Sequence, residues 1–394
     1  MKRNVILLAI CQALMMTGSS LLVASIALIG LALAPHPGLA TLPLAFHFLA
    51  VMATTFPASM AMKKIGRKNG FMLGLIAAII GASVCAYSIY IGHFVGYCIG
   101  VVSMGVFNAF GQYYRFAAAD VATVDYRSRA ISLVLAGGLV AAFAGPNLAS
   151  FTRDLVANAE FAGGYGSLVL IYLISLWVVS QLRIPTPGTE ERSEGGRPLL
   201  AIARQPAYWT AVLCAMTAYG SMNLLMAATP LAMQHYGHPF SSAALVFEWH
   251  IVGMYLPSFF TGHLIHRVGV VKVMMSGAVI LILSALVNIF AGNSVSAFLI
   301  ALALLGLGWN FLFVGGTTQL TTTYTPPEKA KAQGLNDMLV FATVACTALF
   351  SGLLHYTVGW SVLNYGVIPV VVLAAIAVLY ASRTRSVAIT NPGT

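Results

Sequence analysis

The sequence has very little charge. Only 8% of its 394 residues are Asp, Glu, Lys or Arg, whereas about a quarter are charged in soluble proteins. Hydrophobic residues make up 59% of the chain, and the mean hydropathy is +0.88. This composition excludes a soluble globular domain and predicts an all-α protein that crosses a lipid bilayer many times.

The sequence also lacks the motifs of common enzymes and of ATP use. It has no glycine-rich phosphate loop followed by Lys-Ser/Thr, no HExxH and no nucleophile elbow, so we expect neither an enzyme nor an ATP-driven pump. None of its five cysteines belongs to a CxxC pair, and all five lie in apolar segments. We therefore predict free, buried thiols rather than disulfides.

The net charge of +10 lies in short loops and not on one face of a domain, which argues against a nucleic-acid partner. Basic loops occur at every second connection between apolar runs, as expected if these loops are cytoplasmic under the positive-inside rule. The clusters lie at the N-terminus, at Lys63/Lys64/Arg67/Lys68, at Arg127/Arg129, in 183–205, at Arg267/Lys272, at Lys329/Lys331 and at Arg383/Arg385. The opposite loops carry only Arg153. We predict a bacterial inner-membrane protein with both termini in the cytoplasm.

Apolar runs of roughly 20 residues, the length that crosses a bilayer, predict twelve transmembrane helices. They lie near 5–33, 40–61, 71–91, 95–118, 130–151, 165–182, 208–231, 242–264, 271–291, 296–317, 334–356 and 361–381. The first run is too long for the apolar core of a signal peptide, so we expect it to be retained. The least apolar stretch divides the chain into a six-helix bundle at 1–182, a cytoplasmic linker at 183–206 and a second six-helix bundle at 207–394.

The two halves repeat each other. MKKIGRKNG from Met62 aligns with IHRVGVVKV from Ile265, and both follow the second helix of their half. YRSRA from Tyr126 aligns with EKAKA from Glu328, and both precede the fifth helix. A parallel repeat of this kind is typical of a transporter whose halves rock about a central site.

On these residues the chain resembles the major facilitator superfamily, whose signature in this loop is Gly-x-x-x-Asp-Arg-x-Gly-Arg-Arg. The matching positions are Gly262, His266, Arg267 and Gly269 in the second half and Ser59, Lys63, Lys64, Gly66 and Arg67 in the first. The resemblance implies two pseudo-symmetric halves of six helices. Lys63 and His266 replace the signature aspartate, so a latch that depends on this aspartate must differ here.

Two pairs of soft donors stand out in the seventh and eighth helices. Met222 and Met226 are four residues apart, as are His250 and Met254, so each pair lies on one helix face. Thioether and imidazole ligands suit Cu(I) and bring no charge into the membrane. At 1.5 Å per residue the pairs overlap in depth on antiparallel helices, which allows a metal path. The alternative is methionine packing and a helix–helix hydrogen bond from His250.

These motifs, and the stretch from Gly306 to Phe341, resemble the CcoA-type copper importers, a bacterial branch that also contains riboflavin transporters. The resemblance implies that Met222, Met226, His250 and Met254 bind copper as the transported substrate, with no resident cofactor. It further implies import into the cytoplasm by alternating access, supplying copper for cbb3-type cytochrome oxidase. A monomer that hands copper to a cytoplasmic acceptor protein is the expected arrangement.

Further candidates flank this path. Accessory metal donors are predicted at Cys214, Met233, His235, His238, Cys11 and Met15, with buried packing or incidental loop histidines as the alternative. A coupling role is predicted for Glu248, because a carboxylate at membrane depth is costly to bury. Arg115 and Asp120 lie near cytoplasmic helix ends, where the resemblance implies a charged gating network, and Arg267 belongs to the signature loop. Two rival functions remain: a carrier of riboflavin or another organic solute lined by Tyr113, Tyr114, Trp309 and Asn310, and a non-transporting copper sensor or assembly factor.

Overall fold

A computed structural model describes residues 2–36, 39, 42–186, 188 and 196–390. Within this part of the chain the secondary structure is helical, without strands. The helices are α1 (Lys2–Leu33), α2 (Leu42–Ile65), α3 (Arg67–Tyr90), α4 (Phe94–Gly111), α5 (Tyr114–Val121), α6 (Arg127–Ala136), α7 (Gly138–Thr152), α8 (Ala162–Ser180), α9 (Leu199–Ala203), α10 (Pro206–His235), α11 (Phe240–Tyr255), α12 (Ser258–Val268), α13 (Val270–Phe290), α14 (Val295–Leu320) and α15 (Lys329–Thr390). Short 3-10 turns lie at Val124–Tyr126 and Pro326–Glu328.

Eleven helical segments of the described chain are long and apolar enough to cross a bilayer. They correspond to every predicted span except the eighth, which the structure divides into α11 and α12. Pro257 lies at this break. Proline interrupts a helix because it has no N–H for the backbone hydrogen bonds and its ring clashes with the preceding turn. The fourth and fifth spans are also interrupted, between α4 and α5 and between α6 and α7, but each still forms one long apolar segment.

The last two predicted spans form α15, which is interrupted at Gly359. This glycine has φ 82° and ψ 169°, a conformation that residues with a Cβ rarely adopt. The interruption lies between the predicted eleventh and twelfth spans.

The first compact unit comprises Met1–Ala122, Leu133–Gly195 and Lys329–Ala345. Within it α3 packs against α4 and α8, α2 packs against α4, and α1 packs against α7 and α8. Asn4, near the start of α1, accepts a hydrogen bond from the Arg183 backbone N–H and donates one to the Arg183 carbonyl.

The second compact unit comprises Thr123–Ser132, Gly196–Glu328 and Cys346–Thr394. Its central helix is α14, on which α10, α11 and α13 all pack. The units do not coincide with the sequence halves 1–182 and 207–394. Residues 123–132 of the first half belong to the second unit, and residues 329–345 of the second half belong to the first unit. The boundaries of the two six-helix halves stay a prediction.

The thiol prediction is confirmed for four cysteines and wrong for one. Cys11, Cys85, Cys98 and Cys214 are free and buried, whereas Cys346 is free and exposed. An apolar run alone does not distinguish the helix face that packs on protein from the face that is open, which is why the sequence misplaced Cys346.

Candidate functional site

His250 is held firmly in the second unit. Its side chain is fully buried, and Nδ1 lies 2.8 Å from the Leu302 carbonyl oxygen on α14. A carbonyl only accepts, so Nδ1 carries the proton and Nε2 presents a lone pair. Gly306 permits this close approach, because a Cβ there would collide with the His250 carbonyl oxygen and lie 2.7 Å from the Met254 nitrogen.

The first unit contains a matching arrangement. His47 on α2 is 4% exposed, and its Nδ1 lies 3.4 Å from the Val101 carbonyl oxygen. Gly105 follows Val101 by four residues, as Gly306 follows Leu302, and a Cβ at Gly105 would lie 2.7 Å from the His47 carbonyl oxygen. The internal repeat therefore places one buried histidine in the second helix of each half.

The two histidines differ at Nε2. In the first unit Asn108 offers its amide 3.4 Å from His47 Nε2, and Ser19 donates to Asn108 Oδ1 at 3.2 Å. Trp309 holds the position that corresponds to Asn108. Among the described residues neither His250 Nε2 nor Trp309 Nε1 has a hydrogen-bond partner, although both atoms are buried. The His47–Asn108 hydrogen bond of the first unit is thus replaced in the second unit by an acceptor, His250 Nε2, and a donor, Trp309 Nε1, that both lack partners in the described part of the chain.

Trp309 belongs to a cluster of four aromatic side chains from three helices. Its ring stacks on Phe313 at a centroid distance of 5.0 Å and meets Tyr219 and Tyr255 edge-on at 5.2 and 5.8 Å. Tyr219 also contacts Phe313 edge-on at 4.9 Å. Trp309, Phe313 and Tyr255 are buried, and Tyr219 is half-buried. We call Tyr219, Tyr255, Trp309 and Phe313 the inner aromatic cluster.

Met222 and Met226 are half-buried on α10. They follow Tyr219 by three and seven residues, so they continue the helix face on which Tyr219 joins the inner aromatic cluster. Asn223, on the same stripe, donates to Thr347 Oγ1 at 3.0 Å. The predicted methionine pair and the aromatic cluster therefore share one face of α10.

Met254 and Asn310 lie at the helix break. Met254 is 6% exposed, and its carbonyl accepts a hydrogen bond from Asn310 Nδ2 at 2.7 Å. Asn310 Nδ2 also lies 2.6 Å from Ser258 Oγ, and Thr261 donates to Asn310 Oδ1 at 2.7 Å. Asn310 thus links residues on both sides of the break at Pro257 to α14. Its lining of a solute cavity stays a prediction.

The described residues hold no group of three or more His, Cys, Asp or Glu side chains placed to bind a metal ion. A copper site built from the four predicted residues would consist of thioethers and the His250 Nε2 lone pair. Such a donor set suits Cu(I). Copper binding by Met222, Met226, His250 and Met254 stays a prediction.

The accessory candidates have contrasting environments. Cys214 is fully buried where α10 packs on α14. A Cβ added at Gly316 of α14 would lie 3.5 Å from the Cys214 Cβ. Met233 is buried, whereas His235 is exposed. His238 Nε2 lies 2.5 Å from the Asn293 carbonyl oxygen, which ties down the turn after α10.

Four candidates in the first unit are enclosed. Cys11 and Met15 are fully buried in α1, and a Cβ at Gly111 would collide with the Met15 sulfur. Tyr113 and Tyr114 are also fully buried, and Tyr113 donates to the Thr55 carbonyl at 2.8 Å. Tight packing encloses both tyrosines, and their lining of a solute cavity stays a prediction.

Glu248 and Arg267 lie on exposed surfaces. Glu248 shares an exposed face of α11 with Leu245 and Trp249, away from the buried His250. Arg267 is exposed at the end of α12. Their predicted coupling or gating roles stay predictions.

Two groups of charged residues in the first unit include the predicted gating residues Asp120 and Arg115. In one, Asp120 Oδ2 lies 3.2 Å from both Arg67 Nε and Lys329 Nζ, and Arg67 donates to Gln333 Oε1 at 2.5 Å. Sequence reasoning missed Gln333, which is far away in the chain and carries no charge that would mark it.

The second group is the ion pair between Arg115 and Asp337, with a distance of 2.5 Å between Nη2 and Oδ1. Both side chains are buried, at 3% and 1% exposure. Asn336 donates to the same carboxylate oxygen at 2.7 Å. The predicted gating residue Arg115 therefore has a specific partner that no local pattern indicated.

Comparison with known proteins defines the class of this molecule. The family model described as Major Facilitator Superfamily matches residues 8–256 and 211–393. The crystal structure of the fucose transporter FucP in the outward conformation superposes with a TM-score of 0.79 over 96% of this chain and 98% of that one, at 15% identity. The human organic anion transporter MFSD10 gives a TM-score of 0.76 over 96% and 99%, at 14% identity. The chain belongs to the major facilitator superfamily.

Among its relatives, the riboflavin transporter RfnT of Brucella anthropi is 38% identical over 389 residues, covering 98% of each chain. The uncharacterised transporter YdeG of Bacillus subtilis is 27% identical, over 80% of this chain and 77% of the relative. The predicted twelve-helix fold and the resemblance to a branch with riboflavin transporters are confirmed. The protein is a multi-pass membrane transporter and not an enzyme, and neither relative carries a name that mentions copper.

Proposed function

We propose that the protein imports riboflavin, or a solute with a similar flat heteroaromatic ring, across the bacterial inner membrane by alternating access. The proposal is supported by the 38% identity with RfnT along both chains. The observation that carries it is the pair of partnerless buried groups, His250 Nε2 and Trp309 Nε1, of which Trp309 belongs to the inner aromatic cluster. The inward direction of transport is the one that the resemblance to the CcoA-type importers implies.

The chemistry of the cluster fits such a solute. Aromatic rings attract a flat ring system by stacking and edge contacts, each worth roughly 0.5–1.5 kcal/mol beyond area burial. A buried polar group without a partner costs about 1–3 kcal/mol. A flavin ring has carbonyl oxygens for the Trp309 N–H and an N–H for His250 Nε2, so its binding would offset both costs. Tyr219 is the half-buried edge at which a solute would approach.

The test is uptake of radiolabelled riboflavin by a riboflavin-requiring bacterium that lacks its own carrier. Wild type should restore uptake. Trp309→Phe keeps an aromatic ring and removes the N–H, so we expect at least about a fivefold lower kcat/KM from the loss of roughly 1 kcal/mol. Trp177→Phe is the matched control, because Trp177 is 66% exposed. Absence of riboflavin uptake by wild type would refute the proposal.

Copper import is the second candidate function, and it is favoured by the lone pair on His250 Nε2, one helical turn before the buried Met254 in the sequence. Supply of copper to cbb3-type oxidase would follow from this function. Met226→Leu removes the sulfur at nearly constant volume. If copper is a cargo, Met226→Leu should abolish radiocopper uptake and leave any riboflavin uptake near wild type. Trp309→Phe should leave radiocopper uptake near wild type and lower the kcat/KM for riboflavin.

His250→Ala should impair whichever cargo is carried. A copper sensor or assembly factor would instead bind copper stoichiometrically and accumulate none in proteoliposomes. Unchanged copper uptake in both Met226→Leu and His250→Ala would remove copper from consideration.

A further inference from the structure

A cavity of about 630 Å³ lies in the second unit at the end of α10. This volume is within the range of about 300–1,000 Å³ that small-molecule sites occupy. Its lining comes from two places, the end of α10 with the residue that follows it, and the interruption in α15. The lining residues are Leu231, Gln234, His235, Tyr236, Val358, Gly359, Trp360 and Ser361. The cavity therefore lies between the end of the seventh span and the turn that joins the last two spans.

Aromatic rings form one side of this cavity. Trp360 is 4% exposed, and its ring lies 5.5 Å from the Phe298 ring. Tyr236 lies 6.3 Å from Phe298, and His235 meets Tyr236 edge-on at 5.3 Å. This arrangement, with Trp360 and Tyr236 both at the cavity lining, is suited to stacking against a flat ring.

Buried hydrogen bonds hold the aromatic side rigid. The Trp360 carbonyl accepts from Asn364 Nδ2, and Asn364 Oδ1 accepts from Asn288 Nδ2, both at 2.9 Å. Asn364 is fully buried and Asn288 is 5% exposed. The positive φ of Gly359 sets the backbone direction immediately before Trp360. Preorganised aromatic groups lose little freedom when a ligand binds.

Polar groups complete the lining. Gln234 supplies an amide, His235 an imidazole and Ser361 a hydroxyl, which together offer donors and acceptors to the edge of a heteroaromatic ring. Within the part of the chain that the structure describes, no acidic residue is among the lining residues. The cavity chemistry thus matches a neutral, flat, hydrogen-bonding solute better than a cation.

The cavity is separate from the inner aromatic cluster. Leu231, at its lining, follows Tyr219 by twelve residues of one helix, a separation of roughly 18 Å along the axis. A single ring system does not contact both places at once. The two sets of aromatic side chains are therefore successive positions along α10.

We propose that this cavity is an outer binding site that captures the flat heteroaromatic ring of the solute on the periplasmic side, before it reaches the inner aromatic cluster. The identity of the solute rests on the proposed function, and the periplasmic location rests on the predicted topology. The outer site raises the local concentration of solute at the mouth, whereas the inner cluster holds it during the conformational change.

The experiment measures riboflavin uptake kinetics and, separately, quenching of riboflavin fluorescence by the purified full-length protein in nanodiscs. Tyr236→Leu and Trp360→Leu each remove one stacking contact. We expect KM and the dissociation constant to rise about two- to tenfold, the range for one aromatic contact. The maximal rate should stay within about twofold, because the inner cluster is unchanged. Trp177→Leu is the control for loss of an exposed aromatic ring.

The outcomes separate the two proposals. Transport with unchanged KM in both variants would overturn the outer site and leave riboflavin import standing. A wild type that binds riboflavin and accumulates none, with binding weakened by Tyr236→Leu, would support the outer site and overturn import. If Trp360→Leu does not fold, Tyr236→Leu decides, because Tyr236 is only half-buried and its loss leaves the Trp360 packing in place.

Discussion

The ion pair between Arg115 and Asp337 allows a quantitative prediction about stability. The two side chains are 3% and 1% exposed and meet at 2.5 Å. Arg115 Nη1 also donates to the Gln112 carbonyl at 2.8 Å. Replacing Asp337 by Asn removes the negative charge and leaves the Arg115 guanidinium buried without its counter-charge.

The expected cost is large because both charges have been removed from water. Breaking a buried pair on one side costs about 3–5 kcal/mol, whereas replacing both partners by apolar residues of similar volume is often neutral or stabilising. We therefore expect Asp337→Asn and Arg115→Met each to lower the stability by that amount. The double change Arg115→Met/Asp337→Leu should recover most of the loss.

The assay is the midpoint Tm of thermal unfolding of the purified protein in detergent, followed by intrinsic fluorescence. Both single variants should unfold at clearly lower temperature than wild type, and the double variant should lie close to wild type. Arg153→Gln is the control, because its pair with Glu160 is 48% and 62% exposed, where solvent screens the attraction. A double variant as unstable as the sum of the two single variants would refute the reasoning.

Two further predictions concern the helices around His250. Gly306→Ala should lower Tm, with a cost of roughly 1–3 kcal/mol for overpacking, because the new methyl group collides with the His250 carbonyl; Gly366→Ala, which meets no atom within 4 Å, should leave Tm unchanged. Asn310→Ala should lower Tm by removing the hydrogen bonds that bridge the break at Pro257, each worth about 0.5–1.5 kcal/mol. An unchanged Tm in Asn310→Ala would show that the break is stable without them.

Much of the fold was predictable because the bilayer imposes a simple physical requirement. A span must be apolar for about 20 residues and satisfy its backbone internally, so the number of spans follows from hydropathy alone. The eighth span shows the limit of this rule. The composition of 242–264 is apolar enough, but Pro257 breaks the helix, and the side chain of Asn310, on another helix, binds the backbone beside the break.

The candidate site was predictable only in part. The spacing of Met222 and Met226 placed both on one face of α10, and the structure keeps both half-buried there. The inner aromatic cluster was not predicted beyond Trp309, because Tyr219, Tyr255 and Phe313 become neighbours only when three helices pack. Their spacing in the sequence contains no signal of that contact.

The sequence by itself determined the class of the protein, since charge content, span length and the internal repeat are properties of the chain that need no packing. Only the tertiary structure decided which polar atoms are satisfied. His47 and His250 look alike in the sequence, each within an apolar helix. Asn108 satisfies one imidazole, whereas Trp309 at the corresponding position leaves the other with a free lone pair, because hydrogen bonding depends on which side chain the neighbouring helix brings into contact.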